Sequence, residues 1–281
     1  MTGFQERLVG IQERVAAAAR ASGREPRDVR ILPVSKTHPI SMIQAAMAAG
    51  VREFGENRPQ DLAAKAQELG ANLRRSGSGN TGVLAGLDGV SAQPGIGGRG
   101  ADLGLAPRES ETKPDVPRWV MIGNLQRNKA KLIVAYAAEL QSLDSLRLAE
   151  TLSRLLGEAG RELDVMVQVN VSGETVKHGV EPGVALDFAG RVAALPGLRL
   201  TGFMGVAAPL SVVGEAGVHE AFARLRAIRD VAVVSIPEAS GLSMGMSGDF
   251  EIAIAEGSTC VRLGSGLFGQ RRAGVVAPAD K

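Results

Sequence analysis

Apolar residues recur along this chain in two rhythms. Phe4, Leu8, Ile11 and Val15 share one helical face and Gly23 closes the segment, so a helix is predicted to lead the chain. The rhythm then changes to short apolar runs, each followed by a longer amphipathic stretch. "VRILPVS" predicts a strand, and "PISMIQAAMAAG" a helix with Pro39 in its first turn and Gly50 at its end. "VREFGEN" and "PQDLAAKAQELG" repeat the pair. The alternation resumes at "RWVMIG" with "QRNKAKLIVAY", "ELQSLD" with "SLRLAETLSRLLGEAG", and "LDVMVQVNV" with "PGVALDFAGRVAALPG". "LRLTGFMGVA" with "EAGVHEAFARLRAIRD" and "ASGLSMG" with "DFEIAIAEG" follow, and "TCVRLGSGLFG" is the last strand with its loop.

Strict strand–helix alternation implies a parallel sheet. Eight such units imply a closed (β/α)8 TIM barrel, an α/β fold of roughly 250 residues. Periodicity cannot establish closure, and an open doubly wound sheet has the same pattern. Between the second and third units, residues 74–117 are rich in Gly, Ser and Pro with no steady period. They are expected to form a long, flexible surface insertion within a single domain spanning residues 1–281.

Composition narrows the function. A net charge of +2 over 281 residues makes no electrostatic case for nucleic acid or an anionic membrane. An aromatic content of 3% is poor for stacking bases. "QRNKAK" is the only basic cluster that suggests an adaptor, and it reads more simply as a solvated helix face. No apolar run approaches the ~18 residues of a membrane span, and "MTGFQERLVG" lacks signal-peptide character. A single cysteine suits a reducing compartment, so a cytoplasmic protein is expected. No metal site is expected.

In such a barrel, ligands sit at the C-terminal ends of the strands. That rule selects Lys36; Gly55, Glu56 and Asn57; Gly123 and Asn124; Asp144; Asn170 and Ser172; Met204 and Gly205; "SMGMSGD"; and Arg262, Gly264, Ser265 and Gly266. Phosphate commonly binds at the loops after strands seven and eight, where glycines let backbone N–H groups approach the anion. Ser243, Ser247 and Ser265 lie in those loops, and the helix after Gly248 would add its positive end. Alternatively the small residues only terminate strands, with Ser247 as a helix N-cap. A strand-end lysine opposite a phosphate cradle could form a Schiff base with a phosphate-bearing aldehyde, and pyridoxal 5′-phosphate is the obvious candidate. Position alone leaves Lys36 two readings: that amine, or a lysine reaching solvent or paired with Glu56. Arg262 could face a pyridine nitrogen and keep it unprotonated, since guanidinium only donates; a salt bridge within the barrel is the alternative.

These residues resemble the pyridoxal phosphate homeostasis proteins (the YggS/PROSC family), whose fold is similar to the barrel domain of alanine racemase. The matching stretches are "PVSKTHP", "EFGENRPQDLAAKAQEL", "IGNLQRNKAK", "QSLDS", "VQVNVSGE", "GFMGVA" and "LSMGMSGDFEIAIAEGSTCVRLGSGLFGQR". The resemblance implies that Lys36 carries the aldimine, Arg262 approaches the ring nitrogen, and Ser243, Gly264 and Ser265 hold the phosphate. It also implies that Asn57 lines the pocket, although Asn57 with Gln60 also fits a helix capping box. One departure is the third-strand motif, which usually carries a histidine and here reads Trp119-Val120-Met121.

The expected function is therefore binding of pyridoxal phosphate in vitamin B6 homeostasis, without turnover. PLP-dependent apoenzymes are possible recipients, and the protein is expected to be a monomer. The alternative is a racemase or decarboxylase of the same barrel class. A two-base racemase needs a second acid/base, for which related enzymes use a tyrosine from another domain. Tyr136 is the sole tyrosine and is expected far from the mouth; His38, His178 and His219 are weaker substitutes.

Overall fold

The computed structural model describes residues 3–75, 116–174 and 178–269. Eight parallel strands form one sheet: β1 (Arg30–Pro33), β2 (Glu53–Glu56), β3 (Arg118–Met121), β4 (Glu139–Leu143), β5 (Leu163–Val169), β6 (Leu198–Gly205), β7 (Gly241–Ser243) and β8 (Cys260–Leu263). β1 pairs with β8 in parallel. An isolated parallel bridge, Val34 to Gly55, joins the remaining edges, so the sheet closes on itself. All eight strands fall where the apolar runs predict them, and the closure left open by periodicity is settled.

Nine helices are seen among the described residues: α1 (Gly3–Ala21), α2 (Ile40–Ala48), α3 (Pro59–Arg75), α4 (Ala130–Tyr136), α5 (Leu146–Ala159), α6 (Ala185–Ala193), α7 (Leu210–Ser235), α8 (Phe250–Ala255) and α9 (Ser265–Phe268). None is long and apolar enough to cross a membrane. α7 begins before the predicted "EAGVHEAFARLRAIRD" because Leu210–Val213 add a turn ahead of Gly214, whose non-helical backbone (φ 67°, ψ 177°) kinks the element. The loop predicted after β8 contains the short helix α9. Most of the segment 74–117 lies outside the described residues.

Alternation along each strand sorts side chains into two layers. Outward-facing Phe54, Met121, Leu140, Val165, Phe203, Leu242 and Val261 join the helices in one large core. Inside the barrel the apolar contacts are few, with Leu32, Val120 and Cys260 packed against Ile122. Val120, in the third-strand motif, is thus a packing residue of the interior. α1 buries its predicted face, Phe4, Leu8, Ile11 and Val15, together with Ala19. Arg7 Nε donates to Leu267 O at 2.7 Å, which joins α1 to α9.

Candidate functional site

β1 ends at Pro33, but the chain stays tied to both neighbouring strands for two more residues. Val34 N–H donates to Leu263 O at 2.8 Å, and Ser35 N–H donates to Gly55 O at 3.0 Å. Lys36 follows immediately, half-buried. A turn closed by His38 N–H on Ser35 O (3.1 Å) then reverses the chain. Within it Thr37 has φ 65°, the sole positive φ at a non-glycine residue among those described. A β-branched residue resists that conformation, and such strain persists only where surrounding contacts over-determine it.

The contacts are visible. Glu56, wholly buried at the end of β2, accepts Ser35 Oγ at 2.6 Å and Lys65 Nζ at 2.5 Å through the same oxygen. Lys65 Nζ, from α3, also donates to Ser35 O at 2.7 Å. Glu56 is therefore paired with Lys65 rather than Lys36, which removes one alternative for Lys36. Its second oxygen, Oε2, is buried without a partner among the described residues.

The strand that leads into Lys36 passes the turn after β8. A Cβ at Gly264 would lie 3.6 Å from Val34 O, so the backbones pass close together. His38 stacks on Phe268 of α9 with ring centroids 4.7 Å apart, and Phe4 of α1 meets the same ring at 5.2 Å. His38 is thus an aromatic brace between the two turns. The loops after β7 and β8 also meet. Gly266 N–H points to Ser247 Oγ at 3.4 Å, and a Cβ at Gly266 would sit equally close to that oxygen. Ser265 is exposed between them. Gly245 turns the β7 loop at φ +95°, where a Cβ would fall 2.6 Å from Ala253 Cβ.

The other predicted site residues occupy definite places. Arg262 is almost fully buried; its Nη1 donates to Ser243 Oγ at 2.7 Å and its Nη2 to Gly205 O at 2.9 Å. Burial pushes its pKa below the ordinary guanidinium value, against the pull of Cys260 and Asp249. Ser243 is wholly buried and donates to Gln141 Oε1 at 2.7 Å, so its hydroxyl serves Arg262 rather than an open turn. Ser247 is not an N-cap: α8 starts at Phe250 behind Asp249. Asp249 Oδ1 accepts Met246 N–H at 2.6 Å, placing a carboxylate at the end of α8 that was expected to attract an anion. Burial raises the Asp249 pKa above the usual carboxylate value, opposed by Met246 N–H and Arg262.

Asn57 is half-buried and lies one residue outside the capping position, since α3 begins at Pro59. What holds it is Gly123 after β3: a Cβ there would lie 2.1 Å from Asn57 O. Gly123→Ala is expected to destabilise the protein by about 3 kcal/mol and to move Asn57. Calorimetry checks it, and an unchanged melting temperature would contradict the close approach.

The far side of the mouth is polar. Asn124 Nδ2 lies 3.1 Å from His178 Nδ1, and Asn170 Oδ1 accepts Ser172 Oγ at 3.0 Å. Burial raises the Asp144 pKa, with His178 opposing. Tyr136 ends α4, where its hydroxyl meets Gln67 of α3. His219 lies on α7 against Glu256, with 2.8 Å between Nδ1 and Oε1.

Sequence reasoning missed Lys65, Gln141 and the Phe268 brace, and it selected Gly123 as a strand-end residue without its packing against Asn57. One signal was available: Glu139 and Gln141 alternate in β4, which places two polar side chains on its inner face.

Residues 8–272 match the family described as alanine racemase, N-terminal domain. A pyridoxal phosphate homeostasis protein of Pseudomonas aeruginosa is 36% identical over 280 residues, covering 100% of both chains. The protein of that name in Escherichia coli K12 is 31% identical, covering 96% of this chain and 98% of its own. Among solved structures, PipY of Synechococcus elongatus with PLP bound is 29% identical with a TM-score of 0.68, covering 95% of this chain and 100% of PipY. An alanine racemase of Clostridium difficile, 13% identical with a TM-score of 0.59 over 93% of this chain and 57% of its own, shares the fold.

Proposed function

The chain belongs to the alanine racemase N-terminal domain family, among its pyridoxal phosphate homeostasis members, and from that premise we propose that it binds pyridoxal 5′-phosphate in vitamin B6 homeostasis. The carrying observation is the adjacency of the Lys36 turn and the Gly264–Ser265 turn on paired strands β1 and β8, braced by His38 on Phe268. PLP supplies an aldehyde that condenses with an amine, and a phosphate that needs close donors.

The residues present suit that molecule. Lys36 offers the amine. Gly264 and Gly266 leave open the space that a side chain would fill, while Ser265 and Ser247 bring hydroxyls to the phosphate. Arg262 presents a donor-only group to the ring nitrogen, with Ser243 holding it, and Asn57 lines the β2 side. A guanidinium there leaves the pyridine unprotonated, a weak sink for electrons.

The same reading makes the protein a carrier without turnover. Tyr136 ends a helix that runs antiparallel to the strands, away from the mouth, so it offers no second base. No racemisation of L-alanine and no solvent deuterium exchange at its Cα are expected from PLP-loaded protein. Chiral chromatography and NMR check this, and turnover would favour an enzyme. A cytoplasmic monomer of one domain, supplying PLP-dependent apoenzymes, completes the proposal.

A further inference from the structure

The strands of a packed barrel usually fill its interior with branched apolar side chains. Here a line of polar groups crosses that space. At the start of β1, Arg30 donates to both oxygens of Glu139, with Nη1 at 2.9 Å from Oε2 and Nη2 at 3.0 Å from Oε1. Gln141 Nε2 donates to Glu139 Oε1 at 2.7 Å, and Gln141 Oε1 accepts Ser243 Oγ at 2.7 Å. Ser243 in turn accepts from Arg262 Nη1. Gln141 and Ser243 are wholly buried, and Glu139 nearly so.

The direction of every proton in this line follows from one charge. A carboxylate only accepts, so Gln141 must turn its amide nitrogen towards Glu139 and its carbonyl towards Ser243. Ser243 must then donate to Gln141, which leaves its lone pairs for Arg262. Together with Gly205 O, that acceptor holds both terminal nitrogens of the guanidinium and so sets its plane. A buried line of this kind rigidifies only while every member is satisfied.

We propose that Gln141 and Glu139 are positioning residues that orient Arg262 towards the bound cofactor through the Ser243 hydroxyl. The inference rests on the PLP reading above and adds to it the residues, from the opposite end of the barrel, that hold the ring-facing donor.

Gln141→Met keeps the length of the side chain but has no amide to relay the bond. Gln141→His retains one donor and one acceptor on its neutral ring. Each is titrated with PLP, with the dissociation constant and the absorption band of the bound cofactor as readouts. Gln141→Met should weaken binding about tenfold, as losing one hydrogen bond to a charged group does, and should shift the band. Gln141→His should stay within about threefold of the unaltered protein and keep its spectrum. Ser243→Ala, one link nearer Arg262, should reproduce the Gln141→Met spectrum and serves if that variant does not fold. A wild-type band and affinity in both Gln141→Met and Ser243→Ala would overturn this inference alone. Failure of the unaltered protein to bind PLP would overturn the site reading and this inference with it.

Discussion

Replacing Lys36 by alanine is expected to reduce covalently retained PLP to background. The unaltered protein, reduced with borohydride and denatured, should keep one cofactor per chain, and Lys36→Ala none. The expectation rests on how few amines the geometry makes available. Lys36 is half-buried two residues after Val34, whose backbone passes Gly264, and it has no hydrogen-bond or ion-pair partner among the described residues. Lys65, the next candidate, has its nitrogen engaged by Ser35 O and Glu56 Oε1. Noncovalent binding through the phosphate turn should survive in weakened form, because Gly264 and Ser265 are untouched. Undiminished covalent retention by Lys36→Ala would place the amine elsewhere.

Lys65→Met should be the most destabilising single change near the site. Its partner Glu56 is wholly buried, and Lys65 itself is only 13% exposed. Removing one member of a buried pair leaves the other charge without compensation, at a cost of about 3–5 kcal/mol. In a domain of this size that corresponds to a fall of roughly 10 °C in melting temperature. Methionine preserves most of the packing, so the loss reports the charge. Adding Glu56→Gln should restore much of the stability, since the double variant buries no unpaired ion. Both variants should bind PLP less well than the unaltered protein, because Glu56 and Lys65 together hold Ser35, the residue before Lys36. If Lys65→Met melts like the unaltered protein, or Glu56→Gln fails to compensate it, the clamp is not the anchor of the Lys36 turn.

What could be read from the chain depended on the range of the interaction. The strands β1 to β8 follow from local apolar runs, and the buried face of α1 follows from Phe4, Leu8, Ile11 and Val15 at helical spacing. Lys36, Arg262 and the glycines after β8 were singled out because the barrel rule converts strand ends into a shared mouth. Contacts made across the barrel leave no local trace. Ser243 and Gln141 are separated by 102 positions, so a serine in a Gly-rich loop read as a phosphate donor when its hydroxyl lies in the interior. His38 read only as a weak substitute for a second acid/base for the same reason, its stacking partner Phe268 lying on the last helix. Gly123 resembled any strand-ending glycine, and its necessity comes from the Asn57 backbone against which it packs.

Mass-spectrometric mapping of the borohydride-trapped complex, prepared from the full chain and PLP, tests the central claim most directly. The predicted result is one pyridoxyl group, on the peptide that contains Lys36, with that label lost when excess inorganic phosphate competes for the β8 turn before reduction. A label on Lys65 or Lys129, or one at Lys36 indifferent to phosphate, would contradict a single cofactor held between the two turns.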